Sequence, residues 1–147
     1  MKALVQRVDG ASVFAAGKPV SSIGRGLLVF LGVEKGDSEA GADYLAAKVS
    51  KLRVFEEPKG RMNLSVSDIK GGVLVVSQFT LAADTGKGNR PSFEKAEEPG
   101  KARSLYRHFI LRLEGSGLEV KKGVFGADMK ISLVNDGPVT ILLESGK

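Results

Sequence analysis

The spacing of apolar residues along the chain predicts several strands around a central one. Residues 1–8 alternate between two faces and favour a strand, and residues 13–20 are typical of a hairpin with its turn at Ala16-Gly17-Lys18. The unbroken apolar run Leu27–Val33 is typical of a strand covered on both faces. We therefore expect this run at the centre of the sheet.

Two segments carry apolar residues at helical spacing. Asp37 or Ser38 can cap a helix over about 38–51, whose stripe is Tyr44, Leu45, Lys48, Val49 and Leu52. The clearest helical pattern begins at Pro99 and has Gly115 past its end. Its apolar positions recur at i, i+3, i+4 and i+7 and comprise Ala102, Leu105, Tyr106, Phe109, Ile110 and Leu113.

Further strands are predicted before and after the second helix. They cover Arg53–Phe55, Val73–Leu81, Leu118–Lys122, Lys130–Asn135 and Val139–Leu143, the last two joined by a turn at Asp136-Gly137-Pro138. Residues 64–68 fit no single element, and residues 82–93 form a glycine-rich, basic loop. Periodicity predicts an α+β fold, and with no visible linker we expect one domain over residues 1–147.

Composition excludes several kinds of site. The chain has no cysteine and one histidine, His108, so thiolate nucleophiles, disulfides and paired-histidine zinc sites are excluded. No feature brings His108 near Ser77 or Thr80 to form a catalytic triad, and a structural role on its helix is the simpler interpretation. The longest apolar run is too short to cross a bilayer and the start lacks a signal-peptide core, so we expect a soluble, cytoplasmic protein.

The net charge of +5 is compatible with a polyanionic partner without requiring one. The segment Gly86–Arg90 lacks the spacing of a P-loop and of a dinucleotide-binding motif. As a basic loop, its Lys87 and Arg90 could contact nucleic-acid phosphates, although a solvated surface explains them equally.

Two short motifs are candidates for chemistry. Ser77-Gln78-Phe79-Thr80 closes an apolar strand, and Gly137-Pro138 can turn peptide carbonyls toward a ligand. Each also has an ordinary explanation, because threonine is a good strand former and Gly-Pro turns are common.

Four motifs of the chain resemble, in order, signatures of the D-aminoacyl-tRNA deacylase family. They are Ser77–Leu81, Lys87–Phe93, Gly123–Met129 and Asn135–Thr140, and Ala3–Val8 and Met62–Ser65 agree as well. The resemblance implies a homodimeric, metal-free esterase without a cofactor, which removes D-amino acids from tRNA as proofreading for translation and, in some members, removes glycine. It also implies a largely antiparallel sheet curled toward a barrel, with two helices outside.

The resemblance also assigns roles to residues. Ser77, Gln78, Phe79 and Thr80 would form the catalytic side of the pocket, and a cis Gly137-Pro138 bond would reach into the partner's pocket as a chiral filter. Lys87 and Arg90 are candidates for the acceptor-stem phosphates, and Phe125 and Met129 for the terminal adenosine, with core packing as the alternative for those two. Thr80 can either orient the reactants or act as a nucleophile.

The filter has a physical basis. Backbone carbonyls can accept hydrogen bonds from the substrate ammonium while the Cβ of an L-residue points into the peptide wall. Glycine has no Cβ, so this geometry does not exclude glycyl-tRNA.

Two rival functions are compatible with these features. A non-catalytic RNA-binding module would account for the basic loop, but it leaves the strand-end motif unexplained. A sister deacylase with a trans Gly-Pro bond would edit a different mischarged tRNA.

Overall fold

The computed structural model describes residues 1–146. In chain order the elements are β1 Lys2–Ala15, β2 Lys18–Ile23, β3 Gly26–Gly32, α1 Glu39–Lys51, β4 Phe55–Glu56, β5 Met62–Leu64, β6 Gly72–Ser77, a 3₁₀ turn Phe79–Ala82, α2 Pro99–Gly115, β7 Glu119–Lys122 and β8 Met129–Glu144. No helix in this part of the chain is long and apolar enough to cross a membrane.

The main sheet has six strands in the order β2-β1-β3-β6-β7, with β8 paired to β1. Strand β1 is antiparallel to β2, β3 and β8, whereas β3–β6 and β6–β7 are parallel. The first half of β1 pairs with β3 and its second half with β2, so the long strand bends the sheet around itself. The fold is a mixed α/β one with a nearly closed, barrel-like sheet and two helices, as the resemblance implied.

Two apolar cores lie on opposite faces of this sheet. The larger one joins α1 and α2 to alternate residues of β1, β3 and β6, including Val5, Val29 and Val75. The smaller one fills the inside of the curl around Val8, Leu28, Leu74 and Val76. Because β3 contributes to both cores, its buried run Leu27–Val29 explains the lack of alternation in the sequence.

Both helices begin where the sequence predicts. The Ser38 hydroxyl accepts a hydrogen bond from the Gly41 N–H at 3.4 Å, which caps α1. The Glu98 carboxylate accepts hydrogen bonds from the N–H groups of Gly100 and Lys101, which caps α2. Tyr44 differs from the predicted stripe, since it is 49% exposed and α1 instead buries Ala42, Ala46 and Ser50 beside Leu45 and Val49.

Strand β6 is shorter than predicted. It ends at Ser77 rather than Leu81, because the Gln78 backbone, at φ −144° and ψ 80°, leads into a 3₁₀ turn. The Leu81 N–H then donates to the Gln78 carbonyl at 3.2 Å instead of continuing the ladder. Phe79 and Thr80 therefore lie on a turn beyond the strand end.

The C-terminal strand is longer than predicted. The two predicted strands and their turn form one strand, β8, which pairs with β1 on both sides of Gly137-Pro138. Gln6 pairs with Thr140 and Val8 pairs with Asn135, so Arg7 alone stands opposite residues 136–139. A hairpin turn would reverse the chain, whereas this arrangement is a bulge that keeps the strand direction.

Candidate active site

A cavity of about 550 Å³ opens where β6 leaves the sheet. Ser77, Gln78 and Phe79 line one side of it, and residues 125–129 line another. The N-terminal part of α2 contributes a further wall with Pro99, Ala102 and Tyr106. Five predicted site residues thus meet in one place: Ser77, Gln78, Phe79, Phe125 and Met129.

The other five predicted site residues do not line this cavity. Thr80 lies immediately beyond its wall on the 3₁₀ turn, and Lys87 and Arg90 are exposed on the following loop. Gly137 and Pro138 are exposed on the β8 bulge. Within one copy of the chain, the structure therefore separates the two motifs that the sequence proposes to act together.

Gln78 fixes the hydroxyl of Thr80. The side-chain Nε2 of Gln78 donates a hydrogen bond to Oγ1 of Thr80. An amide N–H cannot remove a proton from a hydroxyl, so Gln78 orients Thr80 without activating it as a nucleophile. The Gln78 backbone is itself anchored, because its N–H donates to the Leu31 carbonyl at 2.8 Å.

An aromatic contact ties the basic loop to the cavity wall. The rings of Phe79 and Phe93 pack edge to face with centroids 5.1 Å apart, although Phe79 remains 60% exposed. A backbone bridge between Asp84 and Ser92 closes the loop at its base. These contacts hold the loop that carries Lys87 and Arg90 beside the cavity.

Tyr106 and Phe125 form the aromatic part of the cavity. Their ring centroids are 5.6 Å apart, and the Tyr106 hydroxyl donates to the Val75 carbonyl at 2.9 Å. Burial raises the pKa of the Tyr106 phenol to about 12. The sequence predicts Tyr106 only as part of the apolar stripe of the second helix, and nothing in the residue spacing marks it as a cavity residue.

The glycine-rich segment that carries Phe125 is held close to β6. The Gly123 N–H donates to the Val75 carbonyl at 3.0 Å, and the Val124 N–H to the Met129 sulfur at 3.3 Å. A Cβ on Gly123 would come within 2.8 Å of that sulfur, so any larger residue there would have to displace the Met129 side chain. Met129 therefore packs against the segment as well as lining the cavity.

Arg7 holds the Gly137-Pro138 bulge from below. Its guanidinium donates to the Asp136 carbonyl at 3.1 Å and to the Val54 carbonyl at 2.6 Å. Its Nε also lies 3.2 Å from the Asp136 carboxylate, and the residue is only 6% exposed. In the sequence, alternation along β1 places Arg7 on the same face as Ala3 and Val5, which are buried, and a cation on this apolar face is the feature that marks Arg7.

The bulge presents its backbone to solvent. The Gly137-Pro138 peptide bond is cis, as the resemblance implied, and Gly137 has φ +125°. A Cβ on Gly137 would lie 2.8 Å from Nη2 of Arg7. The Asn135 side chain braces the bulge by donating to the carbonyls of Arg7 and Val139, each at 2.9 Å.

His108 lies elsewhere, facing α1. Its Nε2 is 2.7 Å from the Asp43 carboxylate, to which Arg112 also binds at 2.9 Å. The only histidine of the chain is therefore no part of the cavity, in agreement with the structural interpretation. The carboxylate of Glu97 does line the cavity, and its hydrogen bond from Lys101 holds its pKa below the usual value.

Comparisons with known proteins agree on one family. The family model described as D-Tyr-tRNA(Tyr) deacylase matches residues 4–144. A D-aminoacyl-tRNA deacylase of Geotalea daltonii is 55% identical over 147 residues, which is 100% of this chain and 98% of the relative. One of Thermotoga petrophila is 56% identical over 147 residues, covering 100% of this chain and 99% of the relative.

Solved structures show the same fold. A structure titled "c-Myc DNA Unwinding Element Binding Protein" has a TM-score of 0.94 at 42% identity and covers 100% of both chains. A second, titled as a probable eukaryotic D-amino acid tRNA deacylase, has a TM-score of 0.82 at 16% identity, covers 97% of this chain and 98% of that one, and supports the fold alone. From the family match and the bacterial identities, the chain belongs to the D-aminoacyl-tRNA deacylase family of hydrolases.

Proposed function

We propose that the protein hydrolyses the ester between a D-amino acid and the 3′ end of tRNA in a cavity shared by two copies of the chain. The observation that carries this proposal is the separation of two motifs. The cavity wall at Ser77–Phe79 and the exposed bulge at Gly137-Pro138 belong to one copy but do not meet in it. A second copy related by a two-fold axis would bring the bulge of each to the cavity of the other.

The surface of β8 supports a homodimer. Among residues 1–146, β8 pairs only with β1, which leaves its second edge open. Val134 and Leu142 on β8 are 60% and 51% exposed, a large fraction for apolar side chains on a strand. Pairing with a second copy would cover this edge. Each chain would then supply the cavity of one site and the bulge of the other.

Selectivity would act on the backbone of the amino acid. The exposed carbonyls of the partner's bulge would accept hydrogen bonds from the substrate ammonium, and the Cβ of an L-residue would then point into the peptide wall. The side chain of a D-residue would point away from this wall, so that D-amino acids with many different side chains are accepted. Glycine carries no Cβ, and mischarged glycyl-tRNA would be hydrolysed as well.

The chemistry requires little from side chains. A water oxygen attacks the ester carbonyl, the bond from carbon to the ribose oxygen breaks, and the proton of the water passes to that oxygen. The N–H groups of Phe79 and Thr80 open the 3₁₀ turn, where backbone donors have no partner inside the helix, and they would stabilise the oxyanion. The 2′-hydroxyl of the terminal adenosine would assist the water.

The remaining predicted residues would bind tRNA. Phe125 and Met129 line the cavity and would hold the terminal adenosine by apolar contact. Lys87 and Arg90 would contact acceptor-stem phosphates from the loop anchored by Phe79 and Phe93. Thr80 would orient the water or the ester, since its hydroxyl is held by Gln78.

The direct test is release of labelled amino acid from D-tyrosyl-tRNA and L-tyrosyl-tRNA by the purified protein in the presence of a chelator. The proposal predicts rapid loss of the D-ester and retention of the L-ester. Salt-sensitive binding of tRNA with no release at high protein concentration would support the RNA-binding module instead. Equal loss of both esters would contradict the chiral filter.

A further inference from the structure

We infer that the face of α2 carrying Arg103 and Arg107 binds phosphates of the tRNA acceptor arm beside the cavity. This inference rests on the proposed function for the identity of the substrate. It adds a second basic surface, on α2, to the one on the loop that carries Lys87 and Arg90.

Arg103 lies at the rim of the cavity. Its guanidinium carbon is 5.1 Å from the centroid of the Phe125 ring, and Phe125 lines the cavity. The stack fixes a planar cation next to the place where the 3′ end of a tRNA would enter. Arg103 itself remains exposed, so its N–H groups can still donate to a ligand.

Arg107 continues this face by one helical turn. Residues four apart on a helix are neighbours on its surface, with Cβ atoms about 5–6 Å apart. Arg107 is exposed, and neither Arg103 nor Arg107 forms an ion pair within residues 1–146. The spacing of the two cations along α2 is close to that of successive phosphates on one strand.

The other cations of α2 are neutralised by partners. Lys101 binds Glu97 at 2.8 Å, and Arg112 and His108 bind Asp43 on α1. His108 and Arg112 lie on the side of α2 that faces α1, about half a turn away from Arg103, and Lys101 is paired at the start of the helix. The unneutralised cations of α2 are thus Arg103, which contacts the cavity residue Phe125, and Arg107, one turn further along the helix.

Lys122 extends the basic surface onto β7. Alternation along the strand places Lys122 on the same side as Val120, which packs toward the helices. Lys122 is exposed and directly precedes the segment that carries Phe125. The nearest acidic residue on this face of α2, Glu114, is about 10 Å along the helix from Arg107 and about 16 Å from Arg103.

The partner that fits this surface is a nucleic-acid backbone. Arginines without carboxylate partners can bind phosphates without first breaking an ion pair. Each such contact also releases condensed counterions, which favours binding. Such contacts add affinity without reading sequence, which suits an enzyme that acts on many tRNAs.

The test compares Arg107→Gln and Arg103→Gln with wild type in binding of uncharged tRNA over a range of salt concentrations. Lys51→Gln is the matched control, because Lys51 is exposed, has no ion pair in the described part of the chain and lies on α1, which contributes no residue to the cavity. Each arginine variant is expected to bind roughly tenfold more weakly at 0.1 M salt and to lower the salt slope by about one. Lys51→Gln is expected to match wild type.

A second readout separates phosphate binding from effects inside the cavity. Hydrolysis of D-tyrosyl-tRNA by Arg107→Gln should fall roughly tenfold further than hydrolysis of the 3′-D-tyrosyl ester of adenosine, which has no acceptor stem. An unchanged salt slope for Arg107→Gln, or equal losses on the two esters, would overturn the inference. Failure of the wild-type protein to hydrolyse either ester would refute the proposed function, while tRNA binding still tests the basic surface independently.

Discussion

Arg7 shows how one buried side chain shapes the surface above it. A charged group is costly to bury unless it is paired and hydrogen-bonded, and Arg7 meets this condition through the Val54 carbonyl and through the carbonyl and carboxylate of Asp136 on the β8 bulge. The result is a backbone loop whose position is fixed from below while its upper side stays open. A site built from peptide groups needs such rigidity, because carbonyls cannot adjust by rotating a side chain.

Gly137→Ala tests this arrangement at one atom. The new Cβ would lie 2.8 Å from Nη2 of Arg7 and 2.9 Å from a methyl group of Val139, at a φ of +125° that alanine rarely adopts. Displacement of the bulge by about 1 Å should lower kcat/KM on D-tyrosyl-tRNA by roughly a hundredfold. Gly115→Ala, whose Cβ meets nothing within 4 Å, is the control and should keep wild-type activity. Full activity of Gly137→Ala would argue against the filter.

Thr80→Ala distinguishes an orienting hydroxyl from a nucleophile. Loss of the hydroxyl removes one hydrogen bond with Gln78, which is worth about 1 kcal/mol. The rate of deacylation should therefore stay within roughly tenfold of wild type. Single-turnover hydrolysis of D-tyrosyl-tRNA measures this, with Thr85→Ala on the exposed loop as control. A loss of several orders of magnitude, or an acyl group trapped on Thr80, would restore covalent catalysis.

Tyr106 predicts a pH dependence of stability. Its pKa is raised from 10.0 to about 12 in the folded protein, so between these values the folded state binds more protons than the unfolded state. Its contribution is complete below about pH 10 and is lost as the pH rises toward 12, by about 2–3 kcal/mol.

Urea unfolding of wild type and Tyr106→Phe between pH 9 and 12 measures this contribution. The variant should be less stable than wild type at pH 9, because it lacks the hydrogen bond to Val75, and its stability should fall less as the pH rises. Parallel curves for the two proteins would contradict the assignment. Tyr44→Phe, at a half-exposed phenol, is the control.

Much of the element order follows from apolar spacing, and the exceptions lie at the proposed site. The caps at Ser38 and Glu98 and the buried run of β3 are local features, which a sequence can specify. The end of β6 is not local, because Phe79 to Leu81 have the composition of a strand, but β3, on which β6 pairs, itself ends at Gly32, directly after the last pair of Leu31 with Ser77. Propensity was overridden there by tertiary contacts.

The sequence predicts a turn at Asp136-Gly137-Pro138 where β8 has a bulge, and this prediction is wrong for a related reason. An Asp-Gly-Pro sequence between two apolar runs is a normal hairpin signal, and nothing local distinguishes it from a bulge. The distinction depends on β1, a strand far away in sequence, which pairs with both halves of β8 in one direction. The family motifs name five residues of the cavity and imply that Gly137-Pro138 acts in the partner's pocket, whereas the wall from α2, with Pro99, Ala102 and Tyr106, required the structure.

Arg7→Met tests whether the bulge depends on the guanidinium of Arg7 as well as on the pairing of β1 with β8. The variant keeps an apolar stem but leaves the Val54 carbonyl and the Asp136 groups without their donor, which should cost about 1–3 kcal/mol of unfolding free energy. Urea denaturation measures the loss, and Arg61→Met, at an exposed cation without an ion pair in residues 1–146, should change little. A stability equal to wild type would mean that the bulge is held by β-sheet pairing alone.

The whole molecule combines a rigid cavity with an open edge strand and an excess of cations. The chain has a net charge of +5, and its exposed cations include Lys87 and Arg90 on the basic loop and Arg103 and Arg107 on α2, so an approaching tRNA would meet positive charge beside the cavity. The exposed apolar residues of β8 and Phe79 would be covered in a dimer. On this account the selectivity of the enzyme is not complete in a single copy.

The decisive measurement is activity recovered on mixing two inactive variants, Gly137→Ala and Ala127→Trp, whose indole would fill the cavity. After the subunits exchange at random, half of the dimers are mixed, and each mixed dimer has one site with an intact cavity and an intact bulge. About a quarter of all sites should then be wild type, and deacylation of D-tyrosyl-tRNA should return to about a quarter of the wild-type rate. No recovery, with subunit exchange verified, would show that the bulge does not act across a dimer.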